Sequence, residues 1–137
     1  SKGRVNIPAK FRQSLTEDNH RTFVITRGLD PCIWVYPLEQ WREIENNLRN
    51  LSSVKNINRT FMRNTARYAS PTTYDKQGRI MISPSLLKYS NISKEVLIIG
   101  MINKIEIWDP GYLEKIDQHN LEYESDVYDD LADKIIL

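Results

Sequence analysis

The chain contains the same pattern twice. Lys2-Gly3-Arg4-Val5-Asn6-Ile7 returns 75 residues later as Gln77-Gly78-Arg79-Ile80-Met81-Ile82. Each copy then runs through a proline, Pro8 or Pro84, into a short amphipathic segment holding Phe11 and Leu15 in one half and Leu86-Leu87 in the other. Further on, Phe23-Val24-Ile25-Thr26-Arg27-Gly28 answers to Glu95-Val96-Leu97-Ile98-Ile99-Gly100, and Ile33-Trp34-Val35-Tyr36 to Ile105-Glu106-Ile107-Trp108, now at an offset of 72. A three-residue deletion in the intervening loop accounts for the change of offset. A recurring order of Gly-Arg turn, strand, short helix, strand, tight turn, strand and helix restricts the folds available, because each unit must find its partner in the other.

β-branched and aromatic enrichment, broken by Gly, Pro and Asn, predicts strands over 4–7, 22–27, 32–36, 70–75, 79–82, 95–101 and 104–108. Leu29-Asp30-Pro31 and Met101-Ile102-Asn103 mark the connections of two hairpins. Leu38, Trp41, Ile44, Leu48 and Leu51 recur at helical spacing, as do Ile57, Phe61, Thr65 and Tyr68, so two helices stand between the halves. A third begins near Pro110, a favoured first-turn position. Beyond Tyr123 no element is assigned. A β-unit of about 50 residues with open strand edges is marginal by itself. Two copies closing on each other remove the edges, and the fold class expected is α+β, mainly β: a pseudo-twofold barrel of two repeats with peripheral helices. The first repeat and its linking helices occupy 1–69, and the second repeat with a C-terminal helix and acidic tail occupies 70–137, as one fused globular unit.

A net charge of +1 conceals an asymmetry. Residues 1–70 hold 12 Lys and Arg against 6 Asp and Glu, whereas residues 71–137 hold 7 against 12. The acidic excess gathers at Asp117, Glu122, Glu124, Asp126, Asp129, Asp130 and Asp133. A basic front half can follow a phosphate backbone, while the acidic end can lie against a neighbour's basic surface or be solvated. No apolar run approaches the roughly 20 residues of a membrane span. No signal peptide is visible, and because the chain begins at Ser rather than Met, further residues are expected to precede it. One cysteine, Cys32, excludes an internal disulfide framework and points to a reducing cytoplasm.

The chemistry lies in the turns. Asp75-Lys76-Gln77-Gly78-Arg79 forms an Asp-x-x-x-Arg frame. Its glycine supplies positive φ for a tight turn, and an Asp four residues before the Arg can cap the turn and orient the guanidinium. In the first copy, Ser1-Lys2-Gly3-Arg4, the matching Asp would fall just before Ser1. Lys2 and Lys76 add a second positive charge to each loop. Arg can bond guanine O6 and N7 together while Lys takes a phosphate, so such a loop suits double-stranded nucleic acid. Asp75 and Arg79 equally suit a plain structural pair in a hairpin, and the motif alone leaves both roles open.

The chain resembles the MraZ family of bacterial transcriptional regulators. The resemblance runs from residue 1 to about 115 through Lys-Gly-Arg-Val-x-Ile-Pro-Ala-Lys-Phe-Arg (2–12), Thr-Arg-Gly-Leu-Asp (26–30), Tyr-Pro-Leu-Glu-x-Trp (36–41), Asp-Lys-Gln-Gly-Arg-Ile (75–80) and Glu-Ile-Trp-Asp (106–109). It implies a double swapped-hairpin barrel of the AbrB-like kind and a ring-shaped homo-oligomer. It also implies a nucleoid-associated repressor that binds spaced direct repeats upstream of the division and cell-wall gene cluster, its own gene included. On that resemblance Arg4 and Arg79 read the DNA, with Lys2, Asp75 and Lys76 completing the nucleic-acid-binding set. Two departures are noted. The first frame's Asp and the strand before it are not in this sequence, which is expected to weaken DNA binding or leave the barrel incompletely closed. Ser83-Pro84 stands where the family tends to have Pro-Pro, which is expected to be harmless.

Lys55, Arg59, Arg63 and Arg67 recur every four residues and so share one helix face, expected to be solvated or to meet another subunit's acidic tail. Trp34, Trp41 and Trp108 stand at apolar positions and are expected in the core or at subunit contacts. His20 and His119 lie far apart in polar segments, and no metal-ligand spacing, phosphate-cradling loop or nucleophile elbow appears. The reading is therefore of a protein without catalytic site, metal, cofactor or small-molecule substrate. The reading from another class is a protein-interaction scaffold whose basic loops meet acidic partners.

Overall fold

The protein, seen in a computed structural model that describes residues 3–13 and 21–135, alternates short strands with helices in both halves. The elements are β1 (Arg4–Asn6), α1 (Ala9–Arg12), β2 (Thr22–Arg27), β3 (Ile33–Pro37), α2 (Leu38–Arg49), α3 (Asn56–Arg67), β4 (Ser70–Thr73), β5 (Arg79–Met81), α4 (Pro84–Ser90), β6 (Leu97–Gly100), β7 (Ile105–Trp108), α5 (Pro110–Tyr123) and α6 (Ser125–Ile135). Local chemistry explains the boundaries. Ser83 and Asp109 cap α4 and α5, their side-chain oxygens accepting from the amides of Leu86 (3.4 Å) and Tyr112 (3.1 Å), and a proline opens each helix. Asn91 ends α4 in the left-handed region at φ 58°. The acidic tail beyond Tyr123 forms α6.

All strand pairing is antiparallel. β1 and β5 make a two-stranded ribbon, and the other strands form a five-stranded sheet in the order β4-β2-β3-β7-β6. This differs from the expected closed barrel. Among the described residues β4 and β6 remain the sheet's two edges, and the ribbon pairs only with itself. The fold is thus mixed α and β with two antiparallel sheets. The chain passes from ribbon to sheet after β1 and again after β5, and returns from sheet to ribbon through the turn between β4 and β5.

Strand register carries the sequence repeat into three dimensions. In the ribbon Val5 pairs with Ile80, its own counterpart, flanked by Arg4 with Met81 and Asn6 with Arg79. In the sheet Trp34 pairs with Glu106, again its counterpart, flanked by Ile33 with Ile107 and Val35 with Ile105. Exchanging the halves turns each flanking pair into the other, so a pseudo-twofold axis runs through both central pairs. Two backbone hydrogen bonds obey the same exchange: the Ile7 amide donates to Gly78 O at 2.8 Å, and the Ile82 amide to Gly3 O at 2.6 Å. Neither unit completes its ribbon without the other.

Ribbon and sheet enclose the main core. Val5, Ile7, Ile80 and Ile82 meet Phe23, Ile25, Ile33, Val35, Ile105 and Ile107 there, with Leu86 closing one side. Alternation along β2 and β3 sends Val24 and Tyr36 to the opposite face, where they pack on Trp41 of α2. On the axis Glu106 is 8% exposed, and its carboxylate accepts the indole N–H of Trp34 and of Trp108, each at 2.8 Å. A buried carboxylate between two donors satisfies both rings. Trp41 and Trp108 are core residues and Trp34 is half-buried.

Candidate nucleic-acid interface

The ribbon and its two turns form one surface. Strand alternation buries Val5 and Ile80 and turns Arg4, Asn6, Arg79 and Met81 outward. Arg79 faces Asn6 across the ribbon, and Arg4 faces Met81. Three residues of strand span about 10 Å, and a two-stranded ribbon of that size matches a major groove about 12 Å wide.

The second turn is rigidly built. Asp75 Oδ1 accepts from the amides of Gln77 (2.9 Å) and Arg79 (3.0 Å), while Oδ2 accepts from Arg79 Nε at 3.0 Å. The Asp75 amide donates to Arg79 O at 2.9 Å and the Gly78 amide to Asp75 O at 3.0 Å, closing the loop. Hydrogen bonding to the charged form, first of all from the Arg79 amide, holds the Asp75 carboxyl below its ordinary pKa. The exposed Asp75–Arg79 pair adds little stability, but it fixes Arg79 Nε and leaves the far edge of the guanidinium to a ligand. Lys76 is exposed at the turn's tip. Gly78 takes φ +78° and Gly3 +81°, so the left-handed geometry expected of both turns is present. Lys2 lies outside the described residues.

Two further cations join the second turn. A Cβ built on Gly78 would stand 2.7 Å from the Arg12 guanidinium carbon, so that side chain lies across the turn. Arg12 Nε donates to Ile7 O at 3.0 Å, which holds the side chain there. Arg12 and Arg21 each sit 5.7 Å from the ring centre of Tyr74, the residue before Asp75. The first turn is built differently. The counterpart of Arg12 is Leu87, and a Cβ on Gly3 would meet Leu87 Cδ1 at 3.6 Å. Symmetry therefore places a cation over one glycine and an apolar side chain over the other. Sequence reasoning missed Arg12 and Arg21, although the mismatch of Arg12 with Leu87 at equivalent repeat positions was a visible signal for the first of them.

The other singled-out residues lie elsewhere. Arg63 and Arg67 are exposed on α3 and Lys55 at its N-cap, whereas Arg59 bonds Ser53 O (2.7 Å), Val54 O (2.8 Å) and Asn56 Oδ1, tying down the loop before its helix. His119 packs against Tyr123 with the rings tilted by 43° and their centres 4.7 Å apart, and His20 lies outside the described residues. Cys32 is buried, and its thiol pKa is pushed up by burial first and then by the charges of Glu106 and Asp30. Among the described residues no group of His, Cys, Asp and Glu could hold a metal ion, and no helix is long and apolar enough to cross a membrane.

Known proteins resemble this chain in sequence. A family model described as "MraZ protein, putative antitoxin-like" matches residues 1–64 and again 66–131. A protein of Clostridium tetani (strain Massachusetts / E88), named "Transcriptional regulator MraZ", is 40% identical over 124 residues, covering 90% of this chain and 84% of the relative. A protein of the same name from Pediococcus pentosaceus (strain ATCC 25745 / CCUG 21536 / LMG 10740 / 183-1w) is 40% identical over 136 residues, covering 99% of this chain and 90% of the relative. Two successive matches to one family model, with relatives at this identity over most of their length, mean that the chain belongs to the MraZ family.

Proposed function

We propose that this chain is a sequence-specific DNA-binding transcriptional regulator, and that it represses the division and cell-wall gene cluster, its own gene included, as a ring-shaped homo-oligomer at the nucleoid. The observation that carries this reading is the exposed β1–β5 ribbon, with Arg79 oriented by Asp75 and with Arg12 and Lys76 beside it. Arg79 and Arg4 contact base edges, and Lys2, Lys76 and Arg12 contact phosphates. Asp75 acts as the positioning partner of Arg79. The names of the relatives support regulation of transcription. The two repeats, 1–69 and 70–137, act as one fused unit.

Avidity supplies affinity. One ribbon makes few base contacts, whereas neighbouring subunits engage consecutive direct repeats at high effective concentration. The test is a titration of the full chain against duplexes bearing one or several repeats from the region upstream of its own gene. Arg79→Ala should cost roughly 1–3 kcal/mol and relax preference at one base position, while Arg12→Ala should weaken all sequences alike and lower the salt slope by about one contact, near 0.9. Unchanged affinity and preference in Arg79→Ala would refute its reading role. No binding at low salt would leave the scaffold reading in its place.

A further inference from the structure

Two surfaces of the chain are incomplete by themselves. Every residue from Asp117 to Ile135 is exposed except Ala132, so α6 and the end of α5 stand away from the body as an arm. Val127, Tyr128, Leu131 and Ile135 recur at three- and four-residue spacing and form one apolar stripe. Leu131 is 53% and Ile135 66% exposed. Asp126, Asp129, Asp130 and Asp133 lie outside the stripe and, with Lys134, charge the rest of the helix surface. A helix of 11 residues is too short to persist by propensity alone and needs something to pack against.

The second surface is a trough between α2, α3 and the outer face of β2 and β3. It encloses a cavity of about 500 Å³ lined by Trp34, Trp41, Phe61, Tyr68 and Tyr89. At its floor the Arg27 guanidinium lies 3.7 Å from the ring centre of Tyr68 and 4.4 Å from that of Tyr89. Its buried Nε has no hydrogen-bond partner among the described residues. Phe61 is half exposed at the trough's lip, and Arg67, its guanidinium 5.3 Å from the ring centre of Tyr68, borders the α3 side.

We propose that the α5–α6 arm of one copy seats in this trough of a second copy. The apolar stripe covers the aromatic lining, and Asp130, on the flank of the stripe, faces Arg67. Charge identifies the occupant as the chain itself: seven acidic residues lie between 117 and 133 with no Lys or Arg among them, whereas residues 1–70 carry twice as many basic as acidic side chains. Each copy offers one arm and one trough, so the contact is head-to-tail and propagates to a closed ring or an open filament. This rests on the homo-oligomer of the proposed function and assigns the surfaces that build it.

Sedimentation of the full chain tests the assignment. Leu131→Asp on the arm, and Phe61→Asp or the exposed Asn64→Asp in the trough, should each weaken self-association at least about tenfold with unchanged circular dichroism. Mixing Leu131→Asp with Phe61→Asp leaves one intact arm and one intact trough per pair, and should yield a dimer that grows no further. Trough variants that assemble as well as the parent overturn the proposal in favour of an arm-to-arm contact. So does a mixture that stays monomeric, or a parent chain that is monomeric throughout. Binding to a duplex with a single repeat is read in parallel: arm and trough variants should keep it and lose the gain from adjacent repeats, so failure of docking and failure of DNA recognition give different results.

Discussion

Replacing Gly78 with alanine perturbs the second turn at its tightest point, and its cost can be worked from the geometry. At φ +78° an L side chain is disfavoured by about 1–2 kcal/mol, offset by about 0.4–1 kcal/mol because alanine restricts the unfolded chain. The new Cβ would lie 2.7 Å from the Arg12 guanidinium carbon, so Arg12 must swing away and give up its bond to Ile7 O, a further ~1 kcal/mol. The sum is about 2 kcal/mol, or roughly 5–10 °C in Tm for a chain of this size. Urea unfolding followed by tryptophan fluorescence, at one fixed protein concentration, measures it. The decisive comparison is Gly78→Ala in an Arg12→Ala background, where the clash and the lost bond are already gone. There the cost should fall by about 1 kcal/mol. Full additivity, or a neutral Gly78→Ala, would refute the contact. Gly3→Ala should cost more than Gly78→Ala, because its Cβ would meet the backbone oxygen of Ile82 at 2.9 Å, which cannot swing aside as an arginine can.

Three further outcomes follow from the geometry. Asp75 has a depressed pKa, chiefly through the Arg79 amide, so its stabilisation is fully present above the ordinary carboxylate value of 3.8 and is lost as pH falls through the lower folded value. An NMR titration of its carboxyl carbon should have a midpoint below 3.8, and one at or above that value would count against the hydrogen-bonded turn. Glu106→Gln leaves one indole N–H facing an amide donor instead of an oxygen, so stability should drop by about 1–3 kcal/mol, with Trp34 or Trp108 emission altered; an unshifted urea midpoint would rule out the double acceptor. Because burial raises the Cys32 thiol, a disulfide reagent at about pH 8 should react only as fast as the fold opens. Reaction at the rate of the denatured chain would contradict the buried site.

The sequence determined what depends on short spacing. Strand and helix placement followed from periodicity, proline and glycine, within one or two residues at β2, β3 and α2. The Asp75-to-Arg79 frame and its glycine were readable because every bond in that turn closes within four residues. The internal repeat even implied that the halves must pair, and its two offsets, 75 and 72, are the two registers found in ribbon and sheet. Tertiary structure decided the rest, because those facts depend on which distant backbones meet. Periodicity cannot tell a closed barrel from a ribbon facing a sheet: both bury the same alternating residues, and they differ only in which edges pair. Nor does it place Arg12 over Gly78, since that contact joins residues 66 apart through the crossing of the two halves. The helix α6 was hidden for a related reason. Its apolar stripe is short and set among aspartates, and among the described residues nothing covers it.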